Sequence, residues 1–257
     1  MVTDKEGPFL FPSGRNLVVN VGQAAAGAAV LSLSALNIAK KANAYEYATD
    51  YRYAKLDPRE AGQLAYENYG RKWCMAGVVA GLAGALREKA GGAWKDFPTD
   101  AYRWMDGGKA GWGALCATMP SAGVIIGLVT KDTDTTEAMV NDLAFYYSYT
   151  ELPGFVPSKV LYADIRHTTV AGVPICHFSA DRWMRAEGVG FMSGARAERC
   201  ARLSADVAMY AAQMLNAWAE GSYRPRHKLL LYNALASGMA SSRNRIKISQ
   251  GRGAPTV

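Results

Sequence analysis

Histidine is scarce in this chain, and cysteine lacks the spacings that usually give it a role. Of 257 residues three are histidine (His167, His177 and His227) and four are cysteine. So few histidines leave no room for a His-rich metal centre. No two cysteines stand in C-x-x-C spacing, which excludes zinc knuckles, ferredoxin-type runs and the common thiol redox motif. Four cysteines in a chain of this length do not make a disulfide-built scaffold either. Charge is low as well, at 20% of residues against 50% apolar, so disorder and coiled coil are excluded for most of the length. A Ser-His-Asp order, a paired-carboxylate motif, a P-loop and a dinucleotide fingerprint are all missing, which argues for a carrier or complex subunit over an enzyme.

The formal charge is +7, and it is unevenly placed. Residues 221–257 hold Arg224, Arg226, Lys228, Arg243, Arg245, Lys247 and Arg252 with no acid, a net of +7. Residues 1–44 carry a net of +2, which leaves the body slightly acidic at −2. The basicity is therefore that of an extension, and such an extension contacts an anionic neighbour. Lipid headgroups, an acidic protein surface and nucleic acid would each satisfy it. The absence of any nucleic-acid recognition module argues against the last.

Near the N-terminus, Leu17–Ala39 contains 23 residues without a charge, preceded by Arg15 and followed by Lys40-Lys41. The length suffices to span a bilayer, yet Asn20, Gln23, Ser32, Ser34 and Asn37 interrupt it. Ala42-Asn43-Ala44 supplies a small-residue cleavage signal. Weak hydrophobicity after an arginine resembles a twin-arginine export leader, although Gly14-Arg15 offers one arginine where the motif wants two. The expectation is export to the periplasm, with this segment serving as a signal or, if uncleaved, a membrane anchor.

The body, 45–222, reads as one mainly helical domain. Asp57-Pro58 starts a helix over 59–69 that Gly70 ends, and 73–89 reads as a buried helix ending at Gly91-Gly92. Turn formers fill 93–108. The apolar segment 109–129 carries Pro120, which predicts a kink. An amphipathic helix runs from Asp132 to Leu152, stopped by Pro153-Gly154. Residues 159–176 are β-branched around Ala171-Gly172, predicting a short β-hairpin. From Glu198 onward, Cys200, Leu203, Val207, Ala211, Met214 and Trp218 recur at helical steps.

Cys74, Cys116, Cys176 and Cys200 lie 42, 60 and 24 residues apart. On spacing alone three readings stay open: two disulfides, a metal centre that the fold assembles, or free buried thiols. Trp73, Trp112 and Trp183 lie near cysteines. Core packing accounts for them, and shielding of a metal centre from water is the sharper reading.

The residues around the cysteines carry a resemblance. Tyr66-Glu67-Asn68-Tyr69 leads to Trp73-Cys74, followed by Leu86-Arg87-Glu88-Lys89 and Phe97-Pro98-Thr99-Asp100. Gly111-Trp112-Gly113-Ala114-Leu115-Cys116, then Pro174-Ile175-Cys176-His177-Phe178-Ser179 with Trp183, and Glu198-Arg199-Cys200-Ala201-Arg202-Leu203-Ser204-Ala205-Asp206 complete the series. In this order they are similar to the C-GCAxxG-C-C family, which includes the split-Soret cytochromes; the likeness covers about 45–218 and includes a family-like leader. It implies an exported redox protein whose four cysteines bind an iron–sulfur cluster on a mostly helical fold. His177, next to Cys176, would then donate a hydrogen bond to the centre. Split-Soret members also attach c-type haem through C-x-x-C-H. Here the only Cys-His pair is Cys176-His177, with Val173 three residues before the cysteine, so covalent haem is not expected. Leu115-Cys116-Ala117-Thr118-Met119-Pro120 also lacks both glycines of the family's GCAxxG stretch.

The sequence thus divides into an export signal or anchor at 1–44, a four-cysteine redox domain at 45–222 and a basic extension at 223–257. The reading is an electron-transfer protein docked to a membrane-associated redox partner, as a monomer or a homo-oligomer. Its competitor is a non-catalytic structural or assembly subunit with disulfide-bonded or free cysteines.

Overall fold

The computed structural model describes residues 50–227; the expected leader at 17–39 and most of the basic extension lie outside the described residues. The first helix, α1 (Pro58–Ala90), begins where the Asp57 carboxylate accepts from the amides of Arg59 and Glu60 and proline takes the first turn. It is interrupted at Trp73, whose φ of 62° and ψ of −161° are non-helical. The two arms, 58–72 and 74–90, fold back on one another as an antiparallel pair. A Cβ on Gly77 would come within 3.0 Å of the Tyr69 backbone, and one on Gly81 within 2.6 Å of the Ala65 backbone. Glycine at these two steps lets the helix backbones touch, which explains the small-residue composition of the second arm. Met75 to Leu86 are buried almost without a break.

Four further helices follow this hairpin: α2 (Thr118–Thr130), α3 (Thr133–Tyr149), α4 (Cys176–Glu187) and α5 (Gly194–Ala219). α5 is the main partner of α1, and α2 packs against α1, α3 and α5. Leu203, Val207, Ala211 and Leu215 of α5 meet Val78, Val79, Leu82 and Leu86 of α1 in one continuous core. Each such aliphatic side chain contributes roughly 1.5–3 kcal/mol of burial free energy. The 3-10 turn Thr99–Met105 runs by the reversal of the hairpin, where Arg103 donates to the Arg71 carbonyl, and the turn Gly92–Asp96 follows its open end. There Trp94 is buried and donates its indole N–H to the Arg52 carbonyl at 2.7 Å.

The mainly helical expectation holds, and several local ones are corrected. Gly70 does not end the first arm; the chain stays helical to 72, because the reversal is made at Trp73. Pro120 does not kink a helix. It lies in the first turn of α2, where its missing N–H costs nothing, while the positive φ of Gly108, Gly111 and Gly113 keeps the preceding residues irregular. The hairpin at 159–176 does not form. Among the described residues there are only isolated bridges, and both pair outward: Thr169 with Leu152, and Ile175 with Leu115. Core packing accounts for Trp183 alone of the three tryptophans. Trp73 and Trp112 are 42% and 84% exposed, since one occupies the reversal and the other a glycine-rich loop.

Among the described residues no helix is long and apolar enough to cross a membrane.

Candidate metal centre

The fold brings all four cysteines to one place. Cys74 opens the second arm of α1, Cys176 is the first residue of α4, and Cys116 stands two residues before α2. Three of the four therefore sit at helix N-termini, where unpaired amides and the helix dipole favour negative charge. Cys200 comes from the interior of α5 on its buried face.

The bridge between Leu115 and Ile175 sets two of them side by side. The amide of Cys116 donates to the Pro174 carbonyl at 3.0 Å, and that of Cys176 to the Ala114 carbonyl at 2.7 Å. The loop 106–114 wraps the same spot so closely that a Cβ on Gly108 would lie 2.7 Å from Cβ of Cys176. That loop also supplies Cys74 with neighbours: its Sγ lies 3.5 Å from Oδ1 of Asp106, and the Gly107 amide points at the sulfur. Two residues on, Thr118 places its hydroxyl 3.3 Å from Cys116 Sγ.

All four cysteines are free, and three of them are buried, Cys176 being half-buried. Their thiols influence one another. A hydrogen bond from Cys176 outweighs burial and, with Thr118, brings Cys116 down to about 6. The same contact, with burial, pushes Cys176 well up. Burial and the neighbouring Cys200 and Cys116 raise Cys74. One low thiol held by its higher neighbours is the pattern of a cluster that shares negative charge.

The surroundings are rich in donors. Of the buried side-chain atoms that find no partner among the described residues, three flank the thiols: the hydroxyls of Tyr69 and Tyr147, and Nε of Arg199. Tyr69 lies by Cys200 and Cys74, and Tyr147 by Cys116. Arg199, fully buried, directs Nη1 at Cys200 Sγ across 3.8 Å and donates through Nη2 to the Ser179 hydroxyl. An orphaned buried donor costs roughly 1–3 kcal/mol, so three around one point call for an acceptor there. Among the described residues no three His, Cys, Asp or Glu side chains stand at mutual ligand distance. An ion would have to draw the thiols together by side-chain rotation.

His177 is placed differently from its expectation as a hydrogen-bond donor to the centre. Its ring lies on the exposed side of Cys176, against Gly113 and edge-on to Phe191, with centroids 5.8 Å apart. Sequence reasoning missed Arg199 and Tyr147. Arg199 stands among Arg196, Glu198 and Arg202 on α5, so nothing in the sequence set it apart.

No family model matches the chain. It is 30% identical over 216 residues to a split-Soret cytochrome c of Desulfovibrio desulfuricans, covering 79% of this chain and 77% of the relative. It also superposes on a solved split-Soret cytochrome c from that organism, described as having a novel iron centre, with a TM-score of 0.64 and 28% identity over 72% of this chain and 79% of the other. These likenesses overturn the expectation of an iron–sulfur cluster with covalent haem set aside, because the relatives are cytochromes, proteins that bind haem. Thioether attachment of haem uses a C-x-x-C-H run. The sequence contains no such run, and its four cysteines are instead gathered around one place, with Cys176 in hydrogen-bond contact with Cys116. The residues present do not fit that mode of attachment.

Proposed function

The chain belongs to the family of the split-Soret cytochromes c, and from that membership we propose that it is an electron-transfer protein whose Cys74, Cys116, Cys176 and Cys200 hold an iron centre. The observation that carries this reading is the ring of orphaned donors (Tyr69, Tyr147 and Arg199) around four free thiols. The C-GCAxxG-C-C pattern quoted above belongs to the same proposal. Bound iron would supply a one-electron couple. The chain's own residues do the rest. Helix N-termini and buried donors stabilise the thiolates, and the apolar packing of α1 and α5 keeps water away from Cys74 and Cys200. Cys176 and His177, nearest the surface, mark the side from which an electron enters or leaves.

Export to the periplasm through residues 1–44, anchoring by 17–39 and docking on an acidic partner surface through the basic extension complete the proposal. An exported electron carrier needs both an address and a means of finding its partner. The test is purification of the full chain without oxygen, followed by metal analysis and visible absorption. Iron is expected, with a thiolate charge-transfer band that weakens in Cys200→Ser. Colourless, iron-free protein would refute the reading.

A further inference from the structure

Arg199 is fully buried, and a guanidinium stays protonated in any protein environment. Among the described residues it forms no ion pair. Of the buried acids on its helix, Asp206 attracts it only through space, and both are hydrogen-bonded to other groups. Glu198 is held by Arg202 Nε at 2.8 Å and the Tyr66 hydroxyl at 2.7 Å, while Asp206 accepts from the Gly154 amide at 2.9 Å. What the guanidinium does face is Cys200 Sγ, with Cys116 and Tyr147 beyond it. A buried charge without a partner is one of the costliest features a fold can carry. It persists where an opposite charge completes it.

We propose that Arg199 is the buried counter-charge of the cysteine-held centre, a positioning residue that stabilises the reduced state through space without ligating the metal; this rests on the reading that iron occupies the four cysteines. An iron ion on four thiolates is a net anion in both oxidation states and gains one more negative charge on reduction. A fixed cation beside it favours the more negative state and raises the reduction potential. Low local dielectric makes the effect large at this position. Arg196 also faces Cys200 and Cys74, but from a half-buried position over the Phe191 ring, where it donates to the Phe191 carbonyl at 2.9 Å and solvent screens its charge. The Nε donor of Arg199, orphaned among protein groups, is available to a thiolate drawn inward by the metal.

The experiment uses the full chain loaded anaerobically with ferrous iron, as wild type, Arg199→Lys and Arg199→Met. Redox titration followed by absorption gives the midpoint of each. Arg199→Met is expected to lower the ratio of reduced to oxidised centre at least tenfold at the wild-type midpoint, a negative shift of about 59 mV for a one-electron couple. Arg199→Lys, which keeps the charge, is expected to stay within about threefold of wild type. Urea unfolding of metal-free protein is the second readout. Metal-free Arg199→Met should be about as stable as metal-free wild type, since the buried charge it loses is attracted only through space by Asp206 and the thiols, and iron should stabilise wild type more than the variant. A metal-free variant that is less stable or does not fold would make Arg199 structural and overturn the inference, as would an Arg199→Met midpoint within threefold of wild type. Wild type that binds no iron would overturn the underlying reading and this inference with it; iron-bearing variants with equal midpoints sink the inference alone.

Discussion

Gly113 and His177 are in contact so close that a Cβ on the glycine would lie 2.2 Å from Nδ1 of the histidine. Gly113 also has a φ of +71°, which side chains disfavour. Gly113→Ala is therefore expected to displace the His177 ring and to destabilise the fold by roughly 1–3 kcal/mol. Urea unfolding reads the second effect. Faster modification of His177 by an acylating reagent reads the first. Unchanged stability and reactivity would mean that the contact positions nothing.

The two arms of α1 give a paired test. Gly81 has the Ala65 backbone 2.6 Å from where its Cβ would be, whereas Gly84 has nothing within 4 Å. Gly81→Ala must separate the arms and should cost about 1–3 kcal/mol as overpacking. Gly84→Ala should stabilise by roughly 0.5–1 kcal/mol through helix propensity. Thermal unfolding of the two variants checks both signs.

Asp206 makes stability depend on pH. Burial raises its carboxyl to about 7, even though it accepts from the amides of Gly154 and Phe155. In the unfolded chain the same group titrates near 3.8. The folded state therefore prefers the protonated form. This group's contribution is fully present below about pH 4 and is lost as pH rises through 7, on the order of 4 kcal/mol in all. Asp206→Asn, neutral throughout, should flatten the stability curve between pH 4 and 7. An unaltered slope in urea titrations across that range would contradict the assignment.

The start of the basic extension is fastened to the body. The buried carboxylate of Asp142 accepts from the Tyr223 hydroxyl at 2.9 Å and from the amides of Arg226 and His227, both at 2.9 Å, and it meets His227 Nδ1 at 3.0 Å. The His227 ring lies flat on Phe145, with centroids 4.0 Å apart. Removing 223–257 strands Asp142 without these donors and should cost at least about 1–3 kcal/mol. Removing 229–257, which spares these donors, should cost less stability than removing 223–257 while weakening adhesion to an acidic surface.

The helical framework was legible because caps and periodicity are local: Asp57-Pro58, Asp132 and the repeat through Cys200, Leu203 and Val207 all mark real elements. The reversal at Trp73 was not, since a tryptophan at positive φ is held there by the contacts of Tyr69 with Gly77 and Ala65 with Gly81. α4 was hidden because it follows a β-branched stretch with no side-chain cap to mark its start, and pairing to the distant Leu115 and Leu152 decided that stretch's fate. The grouping of the cysteines was legible only through resemblance. Arg199 was readable in neither way, because a buried arginine declares itself only when its surroundings are known.

The central claim is that iron sits on the four cysteines. X-ray absorption at the iron edge of anaerobically purified full-length protein tests it most directly. The account predicts sulfur in the first shell of iron, and loss of both the sulfur and the iron when Cys74, Cys116, Cys176 and Cys200 are all changed to serine. An iron shell without sulfur, or one left unaltered by those four changes, would contradict it.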